Sequence, residues 1–148
     1  MKKSPIASLF RKMPPQFSDA LYKVSFDPYA EKHFIKDFKK SYGKRWDNTR
    51  ESICFSLGRL SNLEGRKLID KIGPSNNGTI IAKYDFKVDK TEKSAKTSGD
   101  RCVIEICNDE MTVKILLVYG KNHITRSRDQ ETVWWKEIIK DQFGITFV

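Results

Sequence analysis

Arginine and lysine at alternate positions of neighbouring strands, close to a loop histidine, are the side chains that handle phosphate esters. This chain has Lys83 and Lys87 in "TIIAKYDFKV" (79–88), Arg101 opening "RCVIEIC" (101–107), and His123 in "YGKNHI" (119–124). Arginine can fork onto two phosphate oxygens while lysine supplies a point charge. Histidine titrates near neutrality when free and can take or give a proton. Arg101 with Lys83 and Lys87 suits a phosphate-binding groove, and His123 is either a surface-loop histidine or a group that moves a proton.

Period-two alternation gathers these groups on one side of a sheet. Ile80, Ala82, Tyr84, Phe86 and Val88 share one face of their strand with Cys102, Ile104 and Ile106 of the next. Lys83, Asp85, Lys87, Arg101 and Glu105 take the other face, joined by Lys114, which is read as opposite Val113, Ile115 and Leu117. Two accounts of this polar set stand side by side. It is a solvated face with cross-strand ion pairs worth about 0.2–1 kcal/mol each, or it is a phosphate-binding groove. On either account Arg101 points away from the core, so its removal is expected to cost about 0.5–1 kcal/mol.

The elements that position these groups follow from the same patterns. "LYKVSF" (21–26) alternates as a short strand, and Asp27-Pro28 caps and opens a helix ending at Gly43. A second helix spans about Trp46 to Asn62, which makes a helical hairpin with the first. Asn108-Asp109-Glu110 is turn material leading into "TVKILLVY" (112–119), an apolar strand covered on both faces, by the hairpin and by a C-terminal helix at 131–143. The segment "DKTEKSAKTSGD" reads as an exposed, mobile, lysine-bearing loop. The order β-α-α-β-β-β-α implies a two-layer α+β fold, a helical hairpin packed on an antiparallel sheet. Residues 1–148 form one domain: a basic N-terminal arm at 1–19 interrupted by Pro5, Pro14 and Pro15, a core at 20–124, and the last helix.

Composition sets the class of partner. Lys+Arg 28 against Asp+Glu 19 gives a net charge of +9, which favours a polyanion or an acidic protein. No apolar run approaches the roughly 20 residues a membrane span needs, and Ser8, Arg11 and Lys12 break up the apolar part of the N-terminus. The reading is a cytoplasmic protein with three reduced cysteines, Cys54, Cys102 and Cys107. There is no Cys/His set at metal-ligand spacing and no nucleotide-binding glycine motif, so neither metal nor cofactor is expected. Trp134-Trp135 can stack nucleobases, or at helical spacing with Ile138 can serve as core.

The opening "YKVSFDPYAEKHFIKDFKK" and the close "GDRCVIEICNDEMTVKILLVYGKNHI", with this element order, resemble the RelE/ParE toxin superfamily across about Tyr22 to Ile124. The resemblance implies the toxin of a toxin–antitoxin pair. In the RelE branch this is a ribosome-dependent mRNA endoribonuclease acting without metal; in the ParE branch it is a gyrase inhibitor without catalysis. A toxin scaffold that has lost activity and only binds a partner is the remaining alternative. By resemblance Arg101 is the arginine that meets the scissile phosphate, Lys83 and Lys87 fall where basic catalytic residues stand, and Lys121 follows the strand-ending glycine. Asn122 replaces a second arginine, His123 stands where related nucleases place an acid or base, and Arg126 with Lys114 completes the RNA-binding set. An acidic antitoxin and the mRNA-bearing ribosome are the implied partners. The C-terminal tyrosine of the RelE branch has no counterpart here; Trp134 and Trp135 lie in its neighbourhood.

Overall fold

The structure is a computed structural model that describes residues 21–64 and 67–148; the N-terminal arm read at 1–19 lies outside the described residues. Strand β1 (Lys23–Phe26) leads into α1 (Pro28–Lys32). Asp27 starts that helix by accepting a hydrogen bond from the Tyr29 amide at 2.8 Å, with Pro28 in the first turn. The first helical stretch is broken at His33, whose backbone (φ −108, ψ −106) is not helical, and resumes as α2 (Phe34–Tyr42). Gly43 turns the chain into α3 (Lys44–Gly58), and a second break at Arg59 separates the short α4 (Leu60–Glu64). The expected hairpin is therefore present, with each arm in two pieces.

The strands that follow number four among the described residues: β2 (Ile69–Pro74), β3 (Ile80–Phe86), β4 (Asp100–Cys107) and β5 (Thr112–Tyr119). The sheet order is β1-β5-β4-β3-β2. β1 runs parallel to β5 and all other neighbours are antiparallel, so the sheet is mixed rather than wholly antiparallel. The reason is connectivity: a long crossover rather than a hairpin joins β1 to its partner, and only such a crossover brings two strands in parallel. The expected loop between β3 and β4 contains one further helical turn, α5 (Ala95–Ser98), capped by Ser94. The last helix, α6 (Glu131–Phe143), ends at Gly144, and the chain then runs back along the free edge of β2, where Phe147 bridges Ser75.

The α+β fold is thus a sheet with the helical hairpin on one face and α6 against the other. The hairpin-side core joins Phe38, Trp46, Ile53 and Leu57 to Phe86, Cys102, Ile104 and Ile115. The α6-side core joins Trp134, Trp135 and Ile139 to Ile81, Val103, Leu117 and Tyr119. Each fully buried aliphatic side chain contributes about 1.5–3 kcal/mol. β5 therefore has cover on both faces, as its apolar composition requires. Trp134 and Trp135 are core, not stacking platforms.

One irregularity changes the face assignment. Ile104 pairs with Ile115 but Val103 pairs with Leu117, so Leu116 is an extra residue, a β-bulge. Beyond it the alternation inverts. Leu117 and Tyr119 join the α6 side, whereas Val113 and Ile115 stay on the hairpin side. Leu117 thus shares a face with Lys114, contrary to strict alternation.

Candidate functional site

The chemistry-bearing side chains converge where β4 begins and β5 ends. Asp100 and Arg101 are consecutive on β4, so the pleat sends them to opposite faces. Arg101 goes to the α6 side. There its Nε lies 3.1 Å from Oδ1 of Asp85, its register partner on β3, and 3.6 Å from Oε2 of Glu131 in the first turn of α6. The Tyr119 hydroxyl donates to the same Glu131 oxygen. The Arg101 side chain is only 20% exposed. Burial raises the Asp85 carboxyl pKa, an effect that Arg101, Lys83 and Lys96 oppose. Burial, with the hydrogen bond to Glu131, also raises the Tyr119 phenol. Arg101, Lys96, Lys121 and Glu131 line a shallow cleft of about 620 Å³ on this side.

Asp100 goes to the hairpin side, into a second cleft of about 430 Å³ bordered by α2, the β3–β4 loop and residues 120–123. Its carboxyl accepts no hydrogen bond among the described residues. Burial pushes its pKa up to about 6, although Lys93, Arg101 and Lys121 pull it down. It sits against Gly120, where a Cβ would meet Asp100 Oδ1 at 2.8 Å; glycine lets the carboxyl lie there. Lys121 lines both clefts. Its stem lies over Gly99 (φ +81), whose added Cβ would meet three Lys121 carbons at 3.2–3.3 Å.

His123 borders the Asp100 cleft but is already occupied. Nδ1 accepts from the Gly120 amide at 2.9 Å, so the ring proton belongs on Nε2, which donates to Asp37 Oδ2 at 3.0 Å. The ring stacks on Phe34 with centroids 4.5 Å apart. It holds the turn after β5 together and ties that turn to α2.

The residues singled out by sequence divide accordingly. Arg101, Lys121, Asn122 and His123 do gather at this end of the sheet. Lys83 lies on the Arg101 side, between Asp70 and Val103 in register. Lys87 is exposed just past β3 and donates to the Thr91 carbonyl at 2.9 Å. Arg126 is exposed and paired with Glu137 of α6 at 2.7 Å. Lys114 stands opposite Glu105, six residues before Gly120, about 20 Å along the strand at roughly 3.3 Å per residue. It is not part of either cleft. His33 is exposed, stacked on Tyr29.

Asp100, Asp37 and Lys93 were missed by the sequence reading. For Asp100 a signal existed: the alternation that turns Arg101 outward puts Asp100 in register with Cys102, Ile104 and Ile106, and a carboxylate in an apolar register has a raised pKa. Nothing local marks Asp37 or Lys93, which are brought in by the packing of α2 and the path of the loop. Among the described residues no cluster of three or more His, Cys, Asp or Glu side chains is placed to hold a metal ion, and no helix is long and apolar enough to cross a membrane. No protein-family model matches the chain, and no curated protein matches it in sequence.

Proposed function

We propose that this chain is a RelE-like endoribonuclease, the toxin of a toxin–antitoxin pair, which cuts mRNA on the ribosome, with Asp100 as its titrating group. One observation carries the reading: a half-buried carboxyl with a pKa of about 6 stands without a hydrogen-bond partner among the described residues, in a cleft rimmed by Lys93 and Lys121. A group titrating that close to neutrality suits general acid–base work. Asp100 takes the proton of a ribose 2′-hydroxyl as that oxygen attacks the adjacent phosphorus. The bond to the 5′-oxygen breaks, solvent protonates that oxygen, and a 2′,3′-cyclic phosphate and a 5′-hydroxyl remain. Lys93 and Lys121 offset the charge on the phosphoryl oxygens. The net charge of +9 supports a polyanionic substrate and, as the restraining partner, an acidic antitoxin.

The test is induced expression with mapping of mRNA 5′ ends, parent against Asp100→Asn. New ends inside translated codons, absent with the variant, support the reading; intact mRNA overturns it.

A second reading, a non-catalytic binder acting on gyrase or on a protein partner, is favoured by the ion pairs that hold Arg101 between Asp85 and Glu131. A DNA-damage response with intact mRNA supports the gyrase form. Unimpaired growth supports the inactive scaffold.

A further inference from the structure

The cleft beside Asp100 holds more than a phosphate needs. Its far wall is aromatic: Tyr42, half-buried, lies nearly parallel to Phe38, with centroids 6.3 Å apart and planes at 24°, and carries the Arg45 guanidinium 5.2 Å from its ring centroid. Its rim offers acceptors. Glu92 is exposed, with no ion pair or hydrogen bond among the described residues. Asp37 uses Oδ2 on His123, and its Oδ1 has no hydrogen bond among the described residues. The cations Lys93 and Lys121 stand beside Asp100.

We infer that this cleft seats one nucleobase bearing an amino group, its ring against Tyr42, its amine donated to Glu92 and Asp37, and its phosphate at Lys93 and Lys121. An aromatic wall recognises the face of any base, and Arg45 must swing off the Tyr42 ring to expose it. Carboxylates at the rim select by edge, because a carboxylate accepts from an exocyclic amine. Adenine, cytosine and guanine present such an amine, whereas uracil has none and its one edge donor, N3–H, is flanked by carbonyl oxygens that a carboxylate repels. The volume of about 430 Å³ leaves room for one nucleotide and little more. The scissile role of the phosphate rests on the ribonuclease reading, but the seat for the base does not.

The test is titration of the full chain with 3′-AMP, 3′-CMP, 3′-GMP and 3′-UMP, none of which can be cleaved. The three amino-bearing nucleotides should bind roughly 10-fold tighter than 3′-UMP, the discrimination one good edge contact gives. Glu92→Gln and Asp37→Asn together should shrink that ratio towards one. Tyr42→Leu should weaken all four by roughly 10-fold, with folding checked by circular dichroism; Glu92→Gln, at an exposed loop position, carries no such folding risk. Equal binding of the four, no binding, or a preference that survives the double carboxylate change overturns the inference. Cleavage without base preference would sink the seat and spare the nuclease. Base preference without cleavage would do the reverse.

Discussion

Asp100 and Gly120 approach so closely that a methyl group on Gly120 would stand 2.8 Å from the Asp100 carboxylate oxygen. The Gly120 backbone is extended (φ −116), so alanine there is unstrained and acts only through this contact. Gly120→Ala should therefore push the carboxyl aside. We expect a loss of about 1 kcal/mol in urea unfolding, the low end for overpacking because a side-chain tip can turn away. On the proposed ribonuclease reading, cleavage should fall roughly 100-fold, since about 1 Å of misplacement costs that much. Unchanged cleavage would remove Asp100 from the chemistry.

Asp100 also sets a pH dependence. Its folded pKa, about 6, lies above the unfolded value of 3.8, so between these pH values the folded state binds more protons and stability falls as pH rises. The penalty is fully present above about pH 6 and absent below the unfolded pKa. Asp100→Asn should be more stable than the parent at pH 7, and the difference should vanish below about pH 4. A cleavage rate that requires the ionised carboxyl should rise with pH through about 6 and be lost in the variant. Parallel stability curves for the two proteins would show the carboxyl to be unperturbed.

His123 gives the opposite pattern. His123→Ala deletes the acceptor for the Gly120 amide and the stack on Phe34, at a cost of about 2 kcal/mol from a hydrogen bond and an aromatic pair. His123→Asn can offer its side-chain oxygen to the same amide and should recover about 1 kcal/mol of that. Denaturant titration of the two variants decides it: equal losses would mean that the Gly120–His123 bond contributes nothing.

The sequence carried the local patterns well and the non-local ones poorly. The capped start at Asp27, the alternation in β3 and β4, and the double cover of β5 follow from spacing alone. β2 went unread because Lys71, Gly73 and Pro74 interrupt its alternation, and a register shift between Lys71 and Gly73 makes it irregular in fact. Strict alternation puts Leu117 on the wrong face because nothing in "KILLVY" marks Leu116 as the bulge. The clustering of Arg101, Lys121, Asn122 and His123 was legible as the two ends of an expected hairpin. The partners of Arg101 were legible only in part. Asp85 follows from pairing, whereas Glu131 depends on how α6 docks.

That docking reverses the expectation for Arg101. An exposed arginine would leave at little cost, but this one lies between Asp85 and Glu131 with little access to water. Removing it strands two carboxylates at a half-buried junction. Arg101→Ala should therefore lose about 2–3 kcal/mol, somewhat below the cost of breaking a fully buried pair. Adding Asp85→Asn should restore part of the loss, with a coupling of about 1–3 kcal/mol in a double-mutant cycle. pH supplies an independent check. The Asp85 pKa is already raised by burial, with Arg101 holding it down, so in Arg101→Ala it rises further. Asp85 then protonates more readily in the folded state, and the variant's deficit should shrink as pH falls. A loss below about 1 kcal/mol, independent of pH, would mean that Arg101 is as free as an exposed strand residue and available for phosphate after all.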